Sequence, residues 1–172
     1  MKVFGITGWK NSGKTTLVTG IVKSLSQRGF SVATIKHAHH DFDIDHSGKD
    51  SYLHREAGAQ QVLIASSQRW ALMHELSRDN SSKNIEPTLD ELLSKLTPVD
   101  IVIIEGFKQC DHPKLAVIRP DHNPEPLPDE SPLVAVASDK NIDPKMYGCN
   151  GPLFSLKEID SIVDFIVEYC SL

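Results

Sequence analysis

The sequence predicts an α/β fold: a mostly parallel central sheet with helices on both faces and an antiparallel hairpin at one edge. Three observations predict it. Short apolar runs alternate with segments of helical periodicity along the whole chain. The run Val99–Ile104 (VDIVII) is nearly continuous in apolar character, as a strand buried on both faces requires. A glycine-rich turn joins the first strand directly to the first helix. At 172 residues the chain has the length of one domain.

The elements follow in order. Val3–Thr7 reads as a short buried strand, followed by GWKNSGKTT. Leu17, Val18, Ile21, Val22 and Leu25 then recur at helical spacing, with Gly29 placed to stop the helix. Ser31–Lys36 is the second strand, and a His- and Asp-rich loop runs from His37 to Lys49 before a short helix at Asp50–Ala57, stopped by Gly58. QQVLIASSQRWALMHEL predicts two strands around a tight turn at Ser66–Gln68, the edge hairpin. Ser77–Pro87 is polar and loop-like. Thr88-Leu-Asp-Glu91 fits a capping box ahead of a helix with Leu89, Leu92, Leu93 and Leu96 on one face. Lys114–Arg119 and Leu133–Ala137 are further strands beside Val99–Ile104. Between them, Pro120–Pro132 carries five of the ten prolines and reads as an irregular excursion. Ser155-Leu-Lys-Glu158 is a second capping box, opening a terminal helix with Ile159, Ile162, Val163, Ile166 and Cys170 inward.

Composition excludes several classes of function. Eighteen basic residues against 23 acidic ones give a net charge of −5, which argues against nucleic-acid binding driven by overall charge. Cys110, Cys149 and Cys170 are scattered, form no CxxC pair and predict a reducing, cytoplasmic setting. The opening MKVFGITGWK has its apolar run broken by Gly5, Thr7 and Gly8, too short for a signal peptide or a membrane span.

The chemistry lies in Gly8-Trp-Lys-Asn-Ser-Gly13-Lys14-Thr15, which matches G-x-x-x-x-G-K-[ST] at every fixed position. Strand before and helix after are the setting this phosphate loop requires, so the fold is of the P-loop NTPase three-layer type. Gly8 and Gly13 let backbone N–H groups converge on phosphates, and Lys10, Asn11 and Ser12 line the same loop. Lys14 reaches the β- and γ-phosphates, the Thr15 hydroxyl ligates Mg²⁺, and Thr16 donates to the α-phosphate. The partner acid belongs at the end of an apolar strand, where Glu105-Gly106 stands: Glu105 for Mg²⁺, the Gly106 N–H for the γ-phosphate. Asp100, at the other end of the strand, is the weaker metal candidate. Lys14 and Glu105 are the candidate catalytic pair.

Two further segments stay open. His37, His39, His40, Asp41, Asp43, Asp45 and His46 crowd one loop. They fit a transition-metal site, a surface for a partner or substrate, or carboxylates meeting Mg²⁺ at the carboxyl edge of the sheet, the last through Asp43 and Asp45. Asp139, after a late strand, is placed to accept the guanine N1–H and N2–H₂, though the usual Asn-Lys-x-Asp order is absent. Arg69-Trp70 reads as core or interface, and Cys110-Asp-His112 as loop.

IKHAHHDFDID, SGKDSYLHREAGA, ASSQRWALM and IVIIEGFK, in that order and spacing, resemble the molybdopterin-guanine dinucleotide biosynthesis protein B family (MobB) along nearly the whole chain. The resemblance implies a GTP-binding, Mg²⁺-dependent adapter in molybdenum cofactor assembly, homodimeric, with slow GTP hydrolysis at most. Its implied partner is the guanylyltransferase (MobA) that attaches GMP to molybdopterin, with molybdopterin itself a possible ligand. It assigns Gly8, Gly13, Lys14, Thr15 and Thr16 to phosphate and Mg²⁺, and Glu105-Gly106 to the second nucleotide motif. Ser47 stands where the family pattern has proline. Trp9 stands where dimer-sensing phosphate loops carry lysine. The alternative is a P-loop small-molecule kinase or ATP-dependent ligase of the dethiobiotin-synthetase type, which shares the fold.

Overall fold

The computed structural model describes residues 1–38, 42–76, 86–122 and 132–172. His39, His40 and Asp41 lie outside the described residues, as do most of the Ser77–Pro87 segment and most of the Pro120–Pro132 excursion. Two compact units are described, Met1–His37 with Thr88–Leu172, and Ala38–Pro87, where the sequence reading treated the chain as one nucleotide-binding domain.

In the larger unit, β1 (Lys2–Gly8), β2 (Val32–Lys36), β5 (Ile101–Glu105), β6 (Lys114–Ile118), β7 (Leu133–Ser138) and β8 (Leu153–Ser155) form one sheet in the order β2-β5-β1-β6-β7-β8. Every pairing in it is parallel. The helices are α1 (Lys14–Gln27), α3 (Leu89–Leu93) and α4 (Ile159–Cys170). A parallel sheet must be covered on both faces, and alternation along the strands does this. Ile101 and Ile103 of β5 join Leu115 and Val117 of β6 and Ala135 and Ala137 of β7 under α1 and α4, with Leu17, Ile21, Leu25, Ile162 and Ile166. Val102 and Ile104 face the other way, onto Leu89, Leu92, Leu93 and Leu96. On that same face Ala116, Ile118 and Val136 pack with Cys149 and Tyr147, beside a 3₁₀ turn at Pro144–Tyr147. The helices α1 and α4 are tied by Ser24 to Asp160 (2.9 Å) and Arg28 to Asp164 (2.5 Å).

Two sequence expectations change. The hairpin, β3 (Gln61–Ala65) and β4 (Trp70–His74), forms a two-stranded sheet of its own in the smaller unit, next to α2 (Asp50–Glu56), and does not edge the main sheet. The two proposed capping boxes also diverge. Thr88 and Glu91 close a full reciprocal box. At Ser155–Glu158 only the return half exists: Glu158 accepts from the Ser155 N–H (3.3 Å), and α4 begins only at Ile159, because Ser155 is already the last residue of β8.

The β5–β6 connection is closed from inside. Lys114 is fully buried, and its ammonium donates to the carbonyls of Cys110 and His112. His112 is 6% exposed, and neither ring nitrogen has a hydrogen-bond partner among the described residues. A Cβ on Gly5 would lie 2.5 Å from the His112 Nε2, so only glycine lets the imidazole lie on β1.

Burial, reinforced by the Lys114 ammonium and opposed by Asp111, pushes His112 down to about 4 from the ordinary 6.5. The unfolded chain takes this proton near pH 6.5, the folded chain only near pH 4, so stability falls as pH drops through that window. Between pH 7 and pH 5 the loss is about 2 kcal/mol from this group. Urea unfolding at the two pH values should show His112→Leu losing correspondingly less stability than the parent; equal losses would contradict the assignment. A second expectation concerns β8. A Cβ on Gly151 would lie 1.8 Å from the Val134 carbonyl oxygen, an obstacle made of backbone. Gly151→Ala should cost about 2–3 kcal/mol and lower the melting temperature by about 4–10 °C in a thermal scan.

Candidate functional site

The phosphate loop spans the end of β1 and the start of α1. Its shape is set by backbone conformations that side chains resist. Gly8 has φ of 150°, and a Cβ there would meet the Val117 carbonyl oxygen at 2.7 Å and the Ser12 Oγ at 2.9 Å. Gly13, the N-cap of α1, has φ of 99°, and Asn11 between them adopts φ of 62°. No side chain caps α1 and no acid sits in its first turn. The first N–H groups of the helix therefore keep their donors for a ligand, and the helix dipole favours an anion there. Ser12 is fully buried, with its hydroxyl unpartnered among the described residues. Lys10 and Asn11 form the exposed outer side of the loop, and Thr16 lies exposed in the first turn of α1.

Lys14 bends back across the loop, its Nζ donating to the Trp9 carbonyl at 2.5 Å. Its ammonium is held below the usual lysine range by partial burial, against the opposing pull of the Glu105 carboxylate, with Lys108 and Lys36 adding like-charge repulsion. Thr15 donates its hydroxyl to Glu105 Oε1 at 2.8 Å. Strand register explains the meeting: Glu105 ends β5 opposite Ile6 of β1, so the acid stands beside the loop that β1 feeds. A hydroxyl and a carboxylate side by side at a helix N-terminus are hard oxygen donors of the kind Mg²⁺ takes.

Gly106 behaves differently from the sequence reading. Its N–H was aimed at a terminal phosphate, but it donates to the Ile6 carbonyl at 3.1 Å. What Gly106 supplies is a turn at φ of 98° packed on His37, where a Cβ would come within 3.0 Å of the His37 Cβ. Asp100 is also accounted for: its carboxylate accepts from the Ser31 N–H (2.7 Å) and hydroxyl (2.6 Å), pinning the start of β2 to β5. Asp139 follows β7, its carboxylate 3.8 Å from Arg119.

Sequence reasoning missed three cations here. Lys36 ends β2 in register with Glu105 and places its Nζ 3.6 Å from Oε1. Lys108 lies over the Trp9 ring, 4.4 Å from its centroid. The Arg119 guanidinium lies against Gly13. For Lys36 and Arg119 a signal existed, since each stands at the carboxyl end of a predicted strand, where ligands of parallel sheets bind.

Asp43 and Asp45 belong to the smaller unit and are engaged by Arg55. Its NH2 donates to Asp43 Oδ2 at 2.9 Å, its Nε lies 3.4 Å from Asp45 Oδ2, and its NH1 donates to Glu75 at 3.1 Å. Hydrogen bonds from the Asp45 backbone and from Arg55 hold the Asp43 carboxyl below the usual range. Among the described residues no group of three or more His, Cys, Asp or Glu side chains converges as a metal site. No helix among them is long and apolar enough to cross a membrane.

Comparison with known proteins adds to this geometry. A family model described as molybdopterin guanine dinucleotide synthesis protein B matches residues 3–139. The chain is similar to a protein of Escherichia coli K12 named molybdopterin-guanine dinucleotide biosynthesis adapter protein, 36% identical over 97% of this chain and 92% of that one. A protein of the same name from Haemophilus influenzae Rd is 36% identical over 97% of this chain and 88% of its own length. In three dimensions the fold matches the crystal structure of a MobB protein homolog from Bacillus stearothermophilus with a TM-score of 0.73, covering 99% of each chain at 24% identity.

Proposed function

The chain belongs to the molybdopterin guanine dinucleotide synthesis protein B family, and from that premise we propose that it is a cytoplasmic GTP-binding adapter. It assists the guanylyltransferase (MobA) that joins GMP to molybdopterin, and is at most a slow GTPase alone. The observation that carries the nucleotide reading is the Thr15–Glu105 pair, 2.8 Å apart, at the mouth of a glycine loop that opens an uncapped helix.

In this reading Gly8 and Gly13 allow the backbone to close on the phosphates, with the N–H groups of Asn11, Gly13, Lys14, Thr15 and Thr16 as their donors, while the Ser12 N–H closes the loop on the Trp9 carbonyl at 3.3 Å. Lys14 exchanges the Trp9 carbonyl for β- and γ-phosphate oxygens. Thr15 and Glu105 hold Mg²⁺, which when bound neutralises phosphate charge. Lys36 keeps Glu105 paired and oriented. Asp139 accepts the two guanine donors. Asp43 and Asp45 would have to leave Arg55 to hold a metal, so Mg²⁺ is assigned to Thr15 and Glu105.

The adapter is a homodimer in this proposal, and the hairpin supports it. Leu63 pairs across from Leu72 and Ala65 from Trp70 on one face, with Leu63 61% and Trp70 62% exposed. Large apolar side chains gathered on one exposed face mark a surface that another protein covers.

Calorimetric titration of GTP and ATP with Mg²⁺ is the test. The adapter binds GTP in preference to ATP and turns it over slowly, whereas ATP preference or fast turnover would favour the kinase or ligase class. Lys14→Ala should lower GTP affinity by about 100-fold or more while leaving the melting temperature within a few degrees; unchanged affinity would sink the phosphate-loop assignment. Asp139→Asn should weaken GTP by about 10-fold or more and ATP by clearly less. Equal losses for both nucleotides would show that guanine is read elsewhere.

A further inference from the structure

Arg119 follows β6, two residues beyond Val117, which is level with Gly8 of β1. The sequence left it as the lone arginine at the edge of the proline-rich excursion. In the structure its side chain returns to the phosphate loop. Measured from the position a Cβ would take on Gly13, its NH2 is 3.3 Å away, its Nε 3.6 Å and its Cζ 3.8 Å. The guanidinium therefore lies along the residue that caps α1, beside the helix N–H groups that have no cap of their own.

Its partners are few. The Nε is buried and has no hydrogen-bond acceptor among the described residues. The one acid beside it there is Asp139, at 3.8 Å, which is an ion pair beyond hydrogen-bond reach. A guanidinium presents its N–H groups as a rigid fork that matches two oxygens of one anion, and a buried N–H left without an acceptor is costly. A phosphate seated at the N-terminus of α1 would supply those oxygens. Asp139 keeps the guanidinium turned toward the loop without taking up its donors.

We propose that Arg119 is a phosphate-contacting residue supplied in cis, clamping a nucleoside di- or triphosphate against Gly13, with Asp139 as its positioning partner. The inference rests on the phosphate-loop reading above and extends it. It makes phosphate and base recognition share one ion pair, because the acid that orients Arg119 is the acid assigned to guanine.

The test uses inorganic pyrophosphate, which has phosphates and no base, beside GDP, both titrated calorimetrically with Mg²⁺ into the full chain. Arg119→Ala should weaken both ligands by about 10- to 100-fold. Arg119→Lys, which keeps the charge but loses the fork, should recover part of that loss for both. Thermal unfolding without ligand checks that each variant folds, which the partly exposed position favours, and Arg119→Lys serves if the alanine variant does not. Parent-like pyrophosphate affinity in the folded variants overturns the proposal. So does a loss confined to GDP, which would make Arg119 a base or ribose contact. Failure of the parent to bind either ligand would instead strike at the phosphate-loop reading itself, and with it this inference.

Discussion

The site depends on strand register. β1 lies between β5 and β6, and parallel pairing fixes Ile6 beside Glu105 and Gly8 beside Val117. A parallel ladder advances every strand in the same direction, so the carboxyl ends of neighbouring strands emerge together. Glu105, Lys36 and Arg119 reach the phosphate loop for that reason, although they lie 90, 21 and 104 residues beyond Thr15 in sequence, as their numbers show. Register in turn is held by burial on both faces. A slip of one residue on β5 would exchange Ile101 and Ile103 for Val102 and Ile104 across the sheet and set Glu105 against the wrong partner. The core is thus what aims the carboxylate at Thr15.

Charge is distributed against the average of the chain. The net charge is −5, yet Lys14, Lys36, Lys108 and Arg119 gather at the loop against Glu105 and Asp139. A local cationic field with a low-dielectric wall concentrates anionic ligands independently of the sign of the whole molecule. Partial burial and like-charge neighbours both make the Lys14 ammonium less comfortable. Such a group gains when phosphate oxygens replace the single carbonyl of Trp9. The smaller unit is organised on the opposite principle. Val62 and Met73 are its buried apolar side chains among the described residues, and Arg55 gathers Asp43, Asp45 and Glu75 around one guanidinium. With so little apolar burial of its own, this unit relies on a polar hub and leaves its apolar hairpin face outward.

What was legible in the sequence was whatever is encoded locally. The phosphate loop is a contiguous spacing, and the strand, the glycine turn and the helix stand where that spacing predicts them. Glu105 was found because a strand-end acid after an apolar run is also a local pattern. Where the outcome depends on which strand lies next to which, the sequence carries only the strand-end position. Lys36 and Arg119 read as ordinary strand-end cations until strand order brings them to the loop. Leu153–Ser155 is three residues long, too short for any period to register, and it becomes a strand only because β7 offers an edge.

The two capping sequences make the same point within a single molecule. Thr88-x-x-Glu91 and Ser155-x-x-Glu158 carry the same local code. At Thr88 the residue is free to take the extended N-cap conformation, and both reciprocal hydrogen bonds form. At Ser155 the backbone is already held in β8 opposite Ser138, so the hydroxyl turns to the Lys157 N–H and Glu158 becomes the N-cap itself. Gly106 repeats the pattern at the site: its sequence context suggested a phosphate donor, and the sheet takes that donor first through Ile6. In each case a local preference is real but yields to a tertiary partner that the ladder supplies. Arg119 stands on the other side of that rule. Its ladder ends one residue earlier, at Ile118, and its Nε is left with no acceptor among the described residues, so its chemistry remains available to a ligand.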